Sequence, residues 1–444
     1  MGAKKIAEQF QVDGPLVSAI GSRIWQAISG PITILLLIRS LTQDERGTYY
    51  ALAGILSIQM FFELGLLNLL VSQTGHLMAV AESEAGRLRM ASMIRSAMRW
   101  FTAAGLLFGA TAWIVGYVTV QAKDPSTEWT LPYTCMVIAS ALTVAYSPAM
   151  SILEGAGYRE SVYRSRLLQM MTGHIAVWTA LALGLKYWAL ACAAGVQLFW
   201  TLYPPFVMHA EFFRRFRSGD HSSNLIEDVK AEREPTFSWM RDVVPLQWRV
   251  ALISAIYHFA TQFFAIIVYE FDSKAEGGRL GMTLSVTGAI QSMALAWIYT
   301  KFSTVAQKHG QGEREEAGTM WRRTLVVSLG LLTVALTTAI GLVAALPLLG
   351  RGWETGFISP AQMAILAVGC ISNHVIATTS FYVLARKDKP FMFPTLFGYS
   401  ITAACVWLFG YLYSTTGVVS AYSLTMTLIT LPLYMSRYSR YRKK

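Results

Sequence analysis

The stretch of sequence that decides the fold is Val17–Ser72, which reads VSAIGSRIWQAISGPITILLLIRSLTQDERGTYYALAGILSIQMFFELGLLNLLVS. It contains two apolar segments, 17–38 and 48–72, joined by a short polar turn. An apolar segment of about 20 residues is the length that an α-helix needs to cross the hydrocarbon core of a bilayer. The first segment also carries Arg23, and an ionisable residue inside a span is a candidate functional residue. The stretch therefore predicts two membrane-spanning helices, the first with an embedded charge.

The composition of the whole chain extends this prediction. Of the 444 residues, 54% are hydrophobic and only 14% are charged, whereas soluble domains carry about 25% charged residues. The apolar residues occur in blocks, and we predict an all-α polytopic membrane protein with 12 transmembrane helices. Their approximate positions are 17–38, 48–72, 99–121, 131–153, 167–186, 188–210, 243–269, 280–305, 324–349, 360–385, 394–413 and 418–435.

Basic residues are distributed unequally between the two sets of loops that these spans define. Of the 37 lysines and arginines, 27 fall on the side of both termini and 7 in the opposite loops. Because basic loops remain in the cytoplasm, this census predicts that both termini are cytoplasmic. Basic loops on the cytoplasmic side contact anionic membrane lipids, which accounts for the net charge of +11. We therefore expect no nucleic-acid partner.

The longest stretch between predicted spans, residues 211–242, divides the chain into two blocks of six spans. Each block begins with an arginine-bearing span, which contains Arg23 in the first block and Arg249 in the second. Because six is an even number, both blocks start on the same side, and they form a parallel repeat about an axis along the membrane normal. We predict an N-terminal six-helix lobe at 1–210, a cytoplasmic inter-lobe linker, and a C-terminal six-helix lobe with a basic tail at 243–444.

Polar residues inside the predicted spans are the candidate binding residues. Glu63 lies deep in the second span, and helical spacing places it on the same face as Gln59. This pair either binds polar groups of a substrate, with Glu63 carrying a coupling proton or cation, or forms a structural hydrogen bond. The other candidates suit a polar stripe facing a cavity or, equally, bonds between neighbouring helices. They are Asn68, His258, Gln262, Gln291, Asn373 and His374.

Motifs of common catalytic sites are absent from the sequence. It contains no GxxxxGK[ST] phosphate loop, no HExxH and no GxSxG, and the predicted external loops are short. We therefore expect a transporter and not an enzyme. We expect no metal and no cofactor, with a proton or sodium gradient as the candidate energy source.

Two motifs resemble a known family. The pattern LTQDERGTYYALAGILSIQMFFELGLLNLL at Leu41–Leu70 and the motif EGAGYRES at Glu154–Ser161 resemble the Wzx-type polysaccharide flippases of the multidrug/oligosaccharidyl-lipid/polysaccharide exporter (MOP) superfamily. The resemblance covers essentially the whole chain and implies a MATE-like, V-shaped fold of two six-helix bundles. It also implies a flippase of the bacterial inner membrane that serves O-antigen (lipopolysaccharide) or exopolysaccharide biosynthesis by alternating access.

The implied substrate gives the two arginines a role. The resemblance implies an undecaprenyl-diphosphate-linked oligosaccharide as substrate, with polysaccharide polymerase and chain-length proteins as further partners. A guanidinium suits a diphosphate because it forms bidentate hydrogen bonds and keeps its charge. Arg23 and Arg249 each fall about six residues into their spans, roughly 9 Å deep at the rise of an α-helix. They either line a cavity from two sides or reach the cytoplasmic head groups by snorkelling.

Other functional classes remain open at this stage. A MATE-type cation-coupled drug or metabolite exporter would share the fold and needs an acidic cation site deep within one lobe. The few carboxylates in the predicted spans and the two arginines favour an anionic substrate instead. A membrane-embedded polymerase or ligase would need a larger external loop. A purely structural partner protein would carry intramembrane charge at a cost and without purpose.

Overall fold

The computed structural model describes residues 14–63, 66–217, 244–349, 356–384 and 392–442. Within these ranges every regular element is helical and no strand occurs. The prediction of an all-α polytopic membrane protein is therefore confirmed. Seven of the described helices are long and apolar enough to cross a membrane, and an eighth span results if one bent helix pair is counted.

The first half of the chain contains nine described helices. Two of them are extended by short irregular turns, a 3-10 turn at Leu56–Ile58 and a π-turn at Pro204–Met208. The helices are α1 Gly14–Ser40, α2 Gln43–Ile55, α3 Gln59–Glu63, α4 Leu66–Met78, α5 Glu84–Gln121, α6 Thr130–Gly155, α7 Arg159–Ala182, α8 Trp188–Tyr203 and α9 Ala210–Arg217.

The second half contains seven described helices. A 3-10 turn extends one of them at Leu346–Leu349, and a π-turn at Met426–Thr430 joins the last two. The helices are α10 Val244–Thr261, α11 Phe264–Phe271, α12 Lys274–Gly310, α13 Arg314–Ala345, α14 Pro360–Leu384, α15 Met392–Thr425 and α16 Leu431–Arg442.

Each predicted span coincides, in its described residues, with helical structure, but four of the spans are interrupted or joined differently. The predicted span 48–72 contains a 3-10 turn, Leu56–Ile58, between α2 and α3. Helices α10 and α11 meet at a bend of 48°. The last two predicted spans belong to one helical stretch that begins at Met392. Its backbone is kinked at Ser414, whose φ of 55° and ψ of −139° are not helical. This single residue makes the connection between the last two predicted spans.

The chain forms two compact units. Unit 1 comprises the described residues of Met1–Trp25, Ile58–Val118 and Ser126–Ser254. Unit 2 comprises those of Gln26–Ser57, Thr119–Pro125 and Ala255–Lys444. Two short pieces of the first half thus pack with the second half, and the boundaries of the predicted lobes stay predictions.

Only the start of the predicted linker 211–242 lies in the described part of the chain, as helix α9. Its aromatic side chains Phe212 and Phe216 are buried. The ring of Phe212 lies 5.8 Å from that of Tyr158, at the turn between α6 and α7. The beginning of the linker is therefore packed against unit 1.

In unit 1, the EGAGYRES motif forms the turn between α6 and α7. A Cβ atom on Gly155 would lie 2.4 Å from the carbonyl oxygen of Val71, so glycine permits a close approach of α6 to α4. Gly157 has a φ of +101°, which disfavours other residues. Glu154 accepts a hydrogen bond of 2.8 Å from Arg166 across the turn. These contacts explain the glycine spacing of the motif.

In unit 2, helices α2 and α12 approach each other closely through glycines. A Cβ atom on Gly47 would lie 1.9 Å from the carbonyl oxygen of Lys274, and one on Gly281 would lie 2.6 Å from the ring of Tyr50. Small residues at such positions let two helix backbones come into contact within a membrane. In unit 2, α2 and α12 therefore pack together.

Three predicted external connections meet at one end of unit 2. The Oδ2 atom of Asp124 accepts a hydrogen bond of 3.3 Å from Thr48 and lies 3.3 Å from Nζ of Lys274. Nζ of Lys123 donates to the carbonyl oxygen of Asp272 at 3.4 Å. The charge census predicts all of these connections on the same side, and their contacts agree with that arrangement.

Candidate functional site

Three of the candidate residues lie on or against helix α14, and we call Gln291, Asn373 and His374 the α14 cluster. Nε2 of Gln291 donates to the carbonyl oxygen of Cys370 at 3.1 Å. The hydroxyl of Tyr399 donates to Oδ1 of Asn373 at 2.8 Å, and the ring of Tyr257 lies 5.1 Å from that of Tyr399. These contacts connect α12, α14 and α15, which corresponds to the alternative of bonds between neighbouring helices.

His374 is the most deeply buried member of the cluster, with 2% of its surface exposed. Its Nε2 atom lies 2.8 Å from the hydroxyl of Ser328, which is also 2.7 Å from the carbonyl oxygen of Ala294. Because the carbonyl can only accept, the hydroxyl hydrogen goes to Ala294, and Nε2 of His374 carries the ring hydrogen. Nδ1 then faces inward as an acceptor with no hydrogen-bond partner among the described residues.

Gln59 and Glu63 form a second polar group, in unit 1. Nε2 of Gln59 donates to Oε1 of Glu63 at 2.6 Å, one helical turn away on the short helix α3. Both side chains are half-buried, and the next aromatic ring, Phe62, packs against Phe108 of α5 at 5.8 Å. Gln59 and Glu63 are therefore in contact on one face of α3, as their i, i+4 spacing predicted.

His258 and Gln262 lie where α10 meets α11. His258 is half-buried beside the ring of Tyr257, at 5.5 Å, whereas Gln262 is exposed. The backbone N–H of Gln262 donates to the carbonyl oxygen of His258 at 2.9 Å, at the end of the helix. These two candidates are thus placed at the bend, close to the α14 cluster through Tyr257.

Three candidates lie outside the part of the structure in which side chains are described. Arg23 lies on α1, Asn68 on α4 and Arg249 on α10. Only their backbone positions are known, and both arginines belong to helical segments of unit 1. Whether they line a cavity or reach the head groups stays a prediction.

The structure also shows a buried arginine that the sequence reasoning counted only as an external charge. Arg46 is 5% exposed, and its guanidinium donates to the carbonyl oxygen of Thr42 at 3.2 Å and approaches the sulfur of Met282 at 3.9 Å. Burial lowers the pKa of Arg46, and the nearby Arg279 guanidinium acts in the same direction. Arg46 lies near the start of α2, which follows a capping box at Thr42, and this local pattern marks the helix start but not the burial.

Trp25, two residues after Arg23 on α1, packs against α7, with its ring 5.8 Å from Trp178 and its Nε1 atom 3.3 Å from Nδ1 of His174. Among the described residues, no group of three or more His, Cys, Asp or Glu side chains is arranged to hold a metal ion.

Comparisons with known proteins identify the fold. No protein-family model and no curated protein matches the chain. Among solved structures, it is similar to the inward-facing conformation of a multidrug resistance MATE family transporter of the MOP superfamily, with a TM-score of 0.57 and 12% identity over 97% of this chain and 96% of that one. The outward-facing conformation of such a transporter gives a TM-score of 0.53 and 12% identity over 97% of each chain.

A second kind of protein shares this fold. The inward closed conformation of the lipid II flippase MurJ is similar to the chain with a TM-score of 0.55 and 13% identity, over 93% of this chain and 87% of that one. The chain therefore has the polytopic helical fold found in MATE transporters and in MurJ.

Proposed function

We propose that the protein is a flippase that moves a lipid-diphosphate-linked oligosaccharide from the cytoplasmic to the outer leaflet of a bacterial inner membrane, by alternating access. The observation that supports this most directly is the similarity in fold to the lipid II flippase MurJ over 93% of the chain. The resemblance of Leu41–Leu70 and of the EGAGYRES turn to the Wzx-type flippases favours an oligosaccharide precursor of a surface polysaccharide as the substrate.

The diphosphate is the part of this substrate that most needs protein contacts, since it is strongly anionic. Arg23 and Arg249 lie in the first described helices of the two halves, near the ends that the charge census places in the cytoplasm. We propose that their guanidinium groups bind the diphosphate as it enters from the inner leaflet. Arginine stays charged throughout the physiological pH range. The binding of the diphosphate would therefore not depend on the protonation state of either arginine.

Glu63 is the candidate for energy coupling. Its carboxylate accepts one hydrogen bond from Gln59 and retains further acceptor sites. We propose that this pair takes up a proton or sodium ion, or binds sugar hydroxyls, during transport. Asn68 follows on α4 and is proposed to extend this polar surface.

The α14 cluster is less suited to direct contact with substrate. The side chains of Asn373 and His374 are already bonded to Tyr399 and Ser328, which favours the structural alternative for these two. Gln262 is exposed, so it remains the candidate for sugar binding at the bend between α10 and α11. His258 and Gln291 are intermediate in exposure and are proposed to support it.

Deletion of the gene in the native host tests the proposal. We expect lipid-linked oligosaccharide to accumulate in the inner leaflet of the deletion strain, where added glycan-modifying enzymes cannot reach it. Complementation with Arg23→Ala or Arg249→Ala should fail at wild-type protein level, and Arg→Lys at either position should restore part of the export. Arg39→Ala is the matched control, because Arg39 is exposed at the opposite end of α1. Equal export by all variants would reduce the two arginines to topology anchors.

A cation-coupled exporter of drugs or metabolites is the second candidate function. It is favoured by the similarity to MATE transporters, which covers 97% of the chain, and by the half-buried carboxylate of Glu63. Under this alternative, the deletion strain would become sensitive to cationic drugs while its surface polysaccharide remained unchanged. That result would overturn the flippase proposal.

A further inference from the structure

Unit 2 contains a cavity of about 580 Å³ at the end that the charge census predicts to be external. Three connections line it, within residues 272–279, 357–362 and 413–416. We call it the external cavity. Its volume falls within the range of about 300–1,000 Å³ that is typical of small-molecule sites. None of the candidate residues identified from the sequence lines this cavity.

The cavity exists because helical structure begins or is interrupted at each of the three connections. Ser273 caps α12 by accepting a hydrogen bond of 3.2 Å from the backbone N–H of Glu276. Ser359 and Gln362 cap α14 reciprocally, at 3.2 Å and 3.1 Å. At Ser414 the helical backbone is interrupted. The three connections therefore present short polar side chains instead of apolar helix surface.

Hydrogen bonds between the connections fix the walls of the cavity. Ser414 donates to Oδ2 of Asp272, and Nε2 of Gln362 donates to the hydroxyl of Thr416 at 2.9 Å. Glu276 accepts a hydrogen bond of 2.5 Å from Arg279. Because these side chains are already held by mutual contacts, a ligand binds to them without a large loss of side-chain conformational entropy.

The chemistry of the walls selects the class of ligand. Among the described residues of the wall, two carboxylates, Asp272 and Glu276, face one guanidinium, Arg279, which is already paired, so a diphosphate would be repelled. The wall also carries several hydroxyls and one amide, and the carboxylates retain acceptor sites beyond the bonds described above. The ring of Tyr413 is 63% exposed at the edge of the cavity. Many donors and acceptors beside one exposed aromatic ring suit the hydroxyls and the apolar face of a sugar.

We propose that the external cavity binds sugar residues of the lipid-linked oligosaccharide on the outer side, separately from the site that binds the diphosphate. This inference rests on the proposed function, because that function supplies the oligosaccharide. Tyr413 packs against one face of a sugar ring, and Asp272 accepts hydrogen bonds from its hydroxyls. The cavity thus holds the polar end of the substrate while the lipid remains in the bilayer.

Binding of the free glycan tests the inference. The probe is the water-soluble oligosaccharide released by mild acid from the host's lipid-linked precursor, titrated into full-length protein in lipid nanodiscs and followed by saturation-transfer NMR. We expect Tyr413→Ala to weaken binding about fivefold to tenfold, and Tyr413→Phe to bind like the wild type. Asp272→Asn keeps the shape of the wall and should also weaken binding. Tyr411→Ala is the matched control, since Tyr411 is 64% exposed and does not line the cavity.

Two results would overturn the inference. One is a wild-type protein that does not bind the released oligosaccharide, and the other is binding that Tyr413→Ala and Asp272→Asn leave unchanged. Flipping of the intact lipid-linked precursor is measured in parallel with the same wild-type preparation in vesicles. Flipping without glycan binding would refute sugar binding by the external cavity and leave the proposed function intact. Glycan binding without flipping would refute the proposed function.

Discussion

The close contact between α2 and α12 in unit 2 can be tested by Gly47→Ala. The added Cβ atom would lie 1.9 Å from the carbonyl oxygen of Lys274, 2.5 Å from its carbonyl carbon and 2.8 Å from its Cα, whereas ordinary contact begins at 3.4 Å. Helices α2 and α12 must therefore separate by about 1.5 Å, because a backbone atom cannot rotate away as a side chain can. Overpacking of this kind costs about 1–3 kcal/mol, and the close approach to backbone places Gly47→Ala at the upper end.

Alanine also has a favourable effect that must be subtracted. In the interior of a helix it is more stable than glycine by about 0.5–1 kcal/mol. The expected net loss for Gly47→Ala is therefore about 2 kcal/mol. Thermal unfolding of the purified protein, followed by tryptophan fluorescence at a fixed scan rate, should show a lower Tm. For a unit of about 200 residues, 1 kcal/mol corresponds to about 2–4 °C, so the expected decrease is about 4–8 °C.

The matched control is Gly288→Ala on the same helix α12. A Cβ atom on Gly288 would have no neighbour within 4 Å, so only the favourable effect of alanine remains. We expect its Tm to equal or exceed that of the wild type. A Gly47→Ala protein as stable as Gly288→Ala would refute the tight contact between α2 and α12.

Three further predictions concern buried polar groups. Glu63→Gln keeps the size of the side chain but removes its titration, so we expect flipping in vesicles to lose its response to an imposed pH gradient; an unchanged response would contradict coupling through Glu63. Ser328→Ala leaves Nε2 of His374 without its partner, and we expect a loss of about 1–3 kcal/mol, measured as a lower Tm, with an unchanged Tm counting against the bond. Asp124→Ala leaves the half-buried Lys274 ammonium without its carboxylate, and we expect the free energy of unfolding to fall by about 3 kcal/mol. A Tm within 1 °C of the wild type would show that this ion pair does not hold the external connections together.

The spans were predictable because their signal is local and large. A run of about 20 apolar residues has few alternatives to a membrane helix, and all the predicted spans fall on helices. The breaks were not predictable. The span 48–72 changes to a 3-10 turn at Leu56–Ile58, and no proline marks that position. Hydropathy reports whether a residue prefers lipid, but it does not report where a helix loses its i→i−4 hydrogen bonds.

The candidate site was predictable in its local part only. Gln59 and Glu63 meet because their spacing on one helix fixes their distance. The partners of Asn373 and His374 come from other helices, so they depend on which helices pack together, and neither periodicity nor charge contains that information. Arg46 was missed for the same reason, since its burial follows from the packing of α2 in unit 2 and not from its own sequence environment.

The composition of unit 2 has a consequence for biosynthesis. Helix α2 enters the membrane early, but its glycine-lined partner α12 follows only after roughly 230 further residues, and at about 5–20 residues per second this takes roughly 12–46 s. During that interval Gly47 lacks the surface of α12 that it packs against in the folded protein. The newly made first half is therefore the form of the chain most exposed to wrong helix partners and to quality-control proteases. Destabilising changes at this contact would act on yield before they act on transport.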